Sequence, residues 1–311
     1  MENNSRIGMK VAAYLNGIPA SNSNEEKPMM LREFIAGVNK FGDEGILVSS
    51  GGPVSCDVAV IQGFVHEHSK TSPHLRLRRE VLEFQKRNNK RTIIIDSNLF
   101  LYKSTLSQKK YFRFSYDGVF PSTGEYCNKE SSANKWLKIK KDLGIDLKPW
   151  RLGKGDYILL CLQRNGGWSM GNNDVGDWAA NLIKEIKKYS SLPIRVRPHP
   201  GDKNSLSIAL KLGVSVSDTV SLEEDLANAY ACITYNSSPG VAGVIEGVPT
   251  FALDYTRSQA APVSHHSLSQ LENLVEFDRT QWIQDIAQCH WSFEEMHSGE
   301  AWAHMRQWAA Q

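Results

Sequence analysis

Residues 193–200 read Pro-Ile-Arg-Val-Arg-Pro-His-Pro, residues 231–240 Ala-Cys-Ile-Thr-Tyr-Asn-Ser-Ser-Pro-Gly, and residues 250–254 Thr-Phe-Ala-Leu-Asp. Each begins as a short apolar strand and runs into a polar or turn-forming end. A small-residue helix, carrying Glu246 and ending at Gly247-Val248-Pro249, joins the last two. Apolar strands separated by helices predict a parallel sheet covered on both faces. Ligands bind such sheets where strands end and helices begin, and a helix N-terminus favours phosphate. Ser237 and Ser238 place two hydroxyls there, and Gly240 is expected to let the backbone approach a ligand. The stretch therefore predicts a site for a phosphorylated ligand, a nucleotide.

Upstream, the same alternation recurs. Strands are expected at 11–15, 45–49, 57–61 and 91–95, with helices at 28–40 and 74–89. Asp96-Ser97-Asn98 stands at the carboxyl end of the fourth strand. Residues 99–130 read as an irregular segment whose aromatics (Phe100, Tyr102, Tyr111, Phe112, Phe114, Tyr116, Phe120, Tyr126) pack onto their own domain or stack on a base or sugar. A helix at 133–143 leads to the Pro/Gly-punctuated stretch 147–155, which predicts a domain boundary. The pattern then restarts with a strand at 157–162 and the polar loop from Gln163 and Arg164 to Gly167. A helix at 174–189 is expected to be capped by Asn172 or Asn173, and Ser221-x-x-Glu224 spells a capping box, a structural role for Glu224. Three units follow: residues 9–150, residues 151–264, and a helical tail, 265–311, whose tryptophans 282, 291, 302 and 308 pack back toward the first.

With 41% apolar and 23% charged residues the 311-residue chain has a globular composition, and no apolar run is long enough to span a membrane. The N-terminus lacks the apolar core of a signal peptide, and residues 1–8 read as an extension before a first strand. Five scattered cysteines point to a reducing compartment, the cytoplasm, and no metal site is expected. The net charge of +2 hides an asymmetry. Residues 70–113 hold twelve Lys/Arg against three acids, and residues 218–311 thirteen acids against three basic residues. Arg76, Arg78, Arg79, Lys86, Arg87, Lys109 and Lys110 therefore read either as solvated helix surface or as a polyanion-binding face.

Two facing doubly wound α/β domains carrying Ser237-Ser238-x-Gly240, Glu246, Gly247-x-Pro249 and Arg197-Pro-His199-Pro200 resemble the GT-B class of glycosyltransferases. That resemblance implies that the serine turn holds donor phosphate and Glu246 the ribose. The His-Pro and Ser-Ser pair is also similar to bacterial sialyl- and Kdo-type transferases, which use cytidine-monophosphate sugars. The overall layout resembles phage transferases that glycosylate hydroxymethylcytosine in DNA, which suits the basic first domain. The implied donor is a nucleotide-sugar, a UDP-sugar ahead of a CMP-sugar, and no further cofactor is required. The implied acceptor is double-stranded DNA, with a capsule or lipopolysaccharide glycan as the alternative. A nucleotide-sugar epimerase or a non-enzymatic DNA-binding protein competes with both, and a monomer is expected.

Within this frame His199, fixed between two prolines at a strand end, binds phosphate or protonates the leaving group. Arg197 lies two residues earlier on the same strand face and serves the ligand or a structural ion pair. Gln163, Arg164 and Asn236 complete the donor site, Arg164 stabilising the departing phosphate. The catalytic base for an inverting reaction is Asp96, with Asp117 as runner-up; Asp57 begins its strand and points away.

Overall fold

The computed structural model describes residues 8–19, 26–65, 72–100, 102–103, 111–166, 168–171 and 173–310. Two sheets organise them. The first contains β1 (Lys10–Tyr14), β2 (Glu44–Val48), β3 (Val58–Gln62), β4 (Arg91–Ser97), β5 (Tyr111–Tyr116) and β11 (His290–Ser292), in the order β11-β5-β4-β3-β1-β2. The four strands β2, β1, β3 and β4 are parallel, while β5 runs antiparallel to β4, and β11 antiparallel to β5. The second contains β6 (Tyr157–Cys161), β7 (Ile194–Arg197), β8 (Ser215–Val216), β9 (Ala229–Thr234) and β10 (Thr250–Ala252), all parallel, in the order β10-β9-β6-β7-β8.

Alternation along the strands covers both faces of each sheet. In the first sheet Val11, Ala13, Val58, Val60, Ile93 and Ile95 pack with Met30, Phe34 and Val38 of α1 (Glu26–Phe41). Their neighbours Ala12, Ala59, Ile61 and Ile94 pack on Leu77 and Val81 of α2 (Pro73–Arg87). In the second sheet Ile158, Leu160 and Ile233 meet α4 (Val175–Ile186). On its other face Leu159, Cys161 and Cys232 meet α7 (Pro239–Ile245), and that core continues through α3 (Ala133–Leu143) and α8 (Thr280–Gln288) to Phe100 and Tyr111. Two short helices, α5 (Ser205–Leu210) and α6 (Leu222–Ala227), complete the second half.

Three local expectations need correction. Residues 111–116 form a strand, not irregular chain, because Phe112, Phe114 and Tyr116 alternate with Arg113 and Ser115 and so supply one apolar face. Most of the aromatics in this region are buried in the cores. The tail is not simply helical: after α8 it adds β11 to the first sheet, then α9 (Phe293–Ser298) and α10 (Glu300–Met305) pack on α1. Trp291 and Trp302 are buried there with Phe34, whose ring meets Trp302 edge-on at 6.1 Å. The cap of α4 is Asp174, which accepts the Asp177 N–H, while Asn165 Oδ1 accepts the Val175 N–H; Asn172 lies outside the described residues. The Ser221–Glu224 capping box is present. All five cysteines are free and buried. Among the described residues no helix is long and apolar enough to cross a membrane.

Candidate functional site

The carboxyl ends of β4, β6, β7 and β9 turn toward one another, and two adjoining cavities lie between them. The first, about 280 Å³, is lined by Tyr102, Lys103, Arg197–Pro200, Val220–Leu222 and Ser237–Pro239. The second, about 230 Å³, is lined by Asp96–Leu99, Arg113, Gln163, Arg164, Asn236, Arg257 and Gln259. Leu99, His199, Ser237 and Ser238 line both. These residues therefore stand where the two cavities join.

His199 owes its place to its backbone as much as to its prolines. Its N–H donates to Ser205 Oγ at 2.7 Å, and its Nδ1 accepts the Gly201 N–H at 3.0 Å. The latter bond assigns the proton of the neutral ring to Nε2. Burial, then the nearby Arg164, holds the imidazole below its ordinary pKa, so a neutral donor is present at physiological pH. A Cβ at Gly201 would lie 2.8 Å from Arg164 Nη2 and 3.2 Å from His199 Cε1, so glycine there lets the two side chains share one turn. Arg164 is exposed and forms no ion pair among the described residues. The buried Oγ of Ser237 likewise has no hydrogen-bond partner among them. Unpaired buried hydroxyls are uncommon, and this one belongs to a residue that lines both cavities.

Other expected ligand residues also bond within the scaffold. Gln163 donates to Ser169 Oγ and accepts the Asn236 N–H, and the Asn236 amide donates to Ser169 O and Asp254, so both tie strand-end loops together. Arg197 lines the first cavity but also meets fully buried Asp225 at 2.6 Å and bonds Thr219, so it forms the structural ion pair. Gly240 approaches protein, not ligand: a Cβ there would meet Thr234 Oγ1 at 3.1 Å and Ala260 Cβ at 3.2 Å.

Glu246 stands beside the first cavity, in contact with its lining residue Tyr102. It caps the far end of α7, eight residues or about 12 Å of helix from Ser238. There it accepts from Tyr102 at 3.1 Å, pairs with Lys148, and lies 4.0 Å from Lys103. The neighbouring Gly247, with φ of 73°, sits so close to Pro149 O that no side chain fits. The Glu-Gly-x-Pro end of the motif thus anchors the linker.

Asp96 does face the cleft. It lies opposite Arg113 in the β4–β5 register, one oxygen accepting from Arg113 Nη2 at 3.1 Å and the other from the Ser97 N–H at 2.8 Å. Asp117 is placed at the other end of β4, held by Arg91 and the Thr92 N–H, which removes it as a base. Asp57 is likewise spent on Lys10 N–H and Lys90. Arg113, Arg257 and Lys103 were not among the residues expected in the site, while Tyr102 was expected only as one of the aromatics that pack or stack. The alternation of residues 112–116 was the available signal for Arg113.

The polyanion-face residues divide. Arg78 is buried and donates from Nε to Gly17 O at 2.7 Å, and burial lowers its pKa to about 10. It turns inward because α2 packs that face on the turn after β1. Arg79 pairs with Glu83 at 3.8 Å. Lys86 and Arg87 end α2 beside the start of β4, about 20 Å along the helix from its cleft-side end. Arg76 is exposed near that cleft-side end, and Lys109 and Lys110 lie outside the described residues.

No family model matches the chain, and no curated protein matches it. Among solved structures it is similar to the Thermosulfurimonas dismutans KpsC beta Kdo 2,7 transferase, at 12% identity and TM-score 0.53, over 96% of this chain and 99% of that one. It is also similar to the beta Kdo 2,4 transferase of the same KpsC, at 14% identity and TM-score 0.58, over 91% of each chain. The shared feature is the fold: two Rossmann-like sheets with facing strand ends, the GT-B architecture.

Proposed function

We propose that the chain is a glycosyltransferase that moves a sugar from a nucleotide-sugar to a hydroxyl acceptor. The observation that carries this is the position of His199, Ser237 and Ser238 at the joint of two cavities, with Asp96 in only one of them. A donor phosphate at the joint puts the nucleoside in the first cavity and the sugar in the second, facing Asp96. His199 Nε2–H, Ser237 Oγ and Arg164 then stabilise the negative charge that develops as the C1–phosphate oxygen bond breaks. Asp96, oriented by Arg113, takes the proton of the acceptor hydroxyl as its oxygen bonds C1. The likeness to two structures titled Kdo transferases supports sugar transfer in this fold.

Between donors, a UDP-sugar stands ahead of a CMP-sugar. Titration calorimetry with UDP, CMP and their sugars tests both the donor class and this order. If none of them binds, or if His199→Ala and Ser237→Ala leave the binding unchanged, the reading fails.

For the acceptor, a glycan hydroxyl fits better than DNA. Arg78 is buried, and Lys86 and Arg87 lie at the end of α2 remote from the cleft. Phosphate contacts would give DNA binding a log–log salt slope of about −0.9 per phosphate neutralised. Steep salt-dependent duplex binding that Arg76→Glu abolishes, with sugar appearing on DNA nucleosides by mass spectrometry, would reverse this choice.

A further inference from the structure

A third cavity, about 630 Å³, opens beside the reaction cleft between the chain after β5, the segment 255–263 and α8. Gln259 lines both this cavity and the one holding Asp96. The two also meet at successive residues, Phe120 with Pro121 and Arg257 with Ser258. The place of reaction therefore adjoins a larger space at Gln259, and the volume lies within the roughly 300–1,000 Å³ of small-ligand pockets.

We propose that this cavity is a subsite for the saccharide chain of the acceptor, and that it takes neutral or amino sugars. The inference rests on the glycosyltransferase reading for the word acceptor, but the lining makes a saccharide site by itself. A pyranose presents an apolar C–H face and a rim of hydroxyls. The cavity presents Tyr126, Tyr255 and Trp282 for the first, and the carboxylates of Glu125, Asp278 and Asp285 for the second. Tyr255 is 58% exposed, yet its ring is stacked on His266 with centroids 5.2 Å apart and planes 19° from parallel. An exposed aromatic held in one orientation is a platform already formed. Trp282 donates its indole N–H to Gln259 O at 2.9 Å, which fixes the shared residue. Asp285 and Asp278 each accept a backbone N–H, from Ser131 and Thr280, both at 2.9 Å. These bonds orient the carboxylates, and a carboxylate has about four acceptor sites, so capacity for sugar hydroxyls remains.

Charge selects the ligand class. Three carboxylates line the cavity with one cation, Lys129, which lies 3.6 Å from Glu125. A polyphosphate backbone is repelled there, and a neutral or amino-sugar chain is not. The reaction cavity beside it has the opposite balance, with Arg113, Arg164 and Arg257 against Asp96. An anionic leaving group and an uncharged acceptor chain are thus received in separate places.

The test uses the full chain with cellotetraose, maltotetraose and chitotetraose as probes. Saturation-transfer NMR gives saccharide affinity, and calorimetry with UDP and CMP is run in parallel. Tyr255→Ala removes the platform, and Pro262→Trp fills the exposed mouth of the cavity. At least one tetrasaccharide is expected to bind the wild-type chain. Each variant should then weaken it about fivefold or more, the scale of losing one aromatic contact, while nucleotide affinity stays within about twofold. If no tetrasaccharide binds, or if both variants bind as the wild type does, the subsite is wrong. A 20-base-pair DNA duplex that competes with the tetrasaccharide would overturn the charge argument. Failure of the glycosyltransferase reading looks different: saccharide binding sensitive to Tyr255→Ala would persist in a chain that binds no nucleotide or nucleotide-sugar.

Discussion

His290 Nε2 accepts the backbone N–H of Leu99 at 3.0 Å, and its Nδ1 bonds Ile286 O at 2.7 Å. The last strand thereby holds the loop after β4, whose residues Asp96 to Leu99 wall the cleft. The ring is completely buried, and burial, aided by Arg113 and Lys135, lowers its pKa to about 3.

That burial makes stability depend on pH. Between the ordinary histidine value of about 6.5 and about 3, the unfolded chain binds a proton that the folded chain does not. Stability contributed by this residue is thus full above pH 6.5 and falls by about 1.4 kcal/mol per pH unit on acidification through that window. Glutamine can accept the Leu99 N–H in place of Nε2 without titrating. Urea unfolding from pH 7 to pH 4 should show a shallower acid loss in His290→Gln than in the wild type. Parallel curves would mean that the buried ring does not carry the effect.

The Arg197–Asp225 pair predicts a fold defect rather than a chemical one. Asp225 is fully buried, so Asp225→Ala leaves a guanidinium without its partner and should cost about 3–5 kcal/mol. Chemical denaturation reads this directly. A variant of wild-type stability that has lost only nucleotide affinity would instead return Arg197 to the ligand.

His199→Ala should weaken UDP or CMP binding roughly tenfold to a hundredfold, the range for a hydrogen bond to a charged group. Because the imidazole is held below its ordinary pKa, nucleotide affinity should show no histidine titration between pH 7 and 9. His199→Gln, which keeps a donor, should recover part of the loss. A calorimetric affinity that rises as pH falls through 8 would show a charged imidazole at work.

Asp96→Asn should reduce transfer by about 10²–10⁴-fold, the usual share of a general base, while nucleotide affinity stays near wild type. Arg113→Met should lower kcat through misorientation of the same carboxylate. Steady-state kinetics with a measured donor affinity separates the two effects. Full turnover in Asp96→Asn would end its role as base.

How much of this was legible beforehand depended on distance along the chain. The β/α alternation, the Ser221–Glu224 box and the placement of His199, Ser237 and Asp96 at strand ends are local, written in periodicities of two and 3.6 residues. Those periodicities set which end of a strand a residue occupies, and the ends of parallel strands gather at one edge. The strand at 111–116 was equally local, in its alternation of aromatic with Arg113 and Ser115, but its aromatic richness hid it. So was the spacing of Glu246, which eight residues of helix separate along the chain from Ser238.

Tertiary structure decided the rest, because it depends on which surfaces come to face each other. A motif cannot tell whether arginine on a helix points at solvent or, as Arg78 does, at the carbonyl of Gly17, 61 residues away. Nor can it tell whether Arg197 serves a ligand or a carboxylate 28 residues downstream. The return of residues 290–292 to the first sheet joins segments far apart along the chain, and so does the bond from His290 to Leu99, 191 residues away. Local pattern alone yields two doubly wound halves with polar and turn-forming residues at their strand ends. Tertiary packing, within each half as well as between them, sets which polar groups remain for a ligand, since burial satisfies nearly every polar side chain with whatever the fold brings beside it.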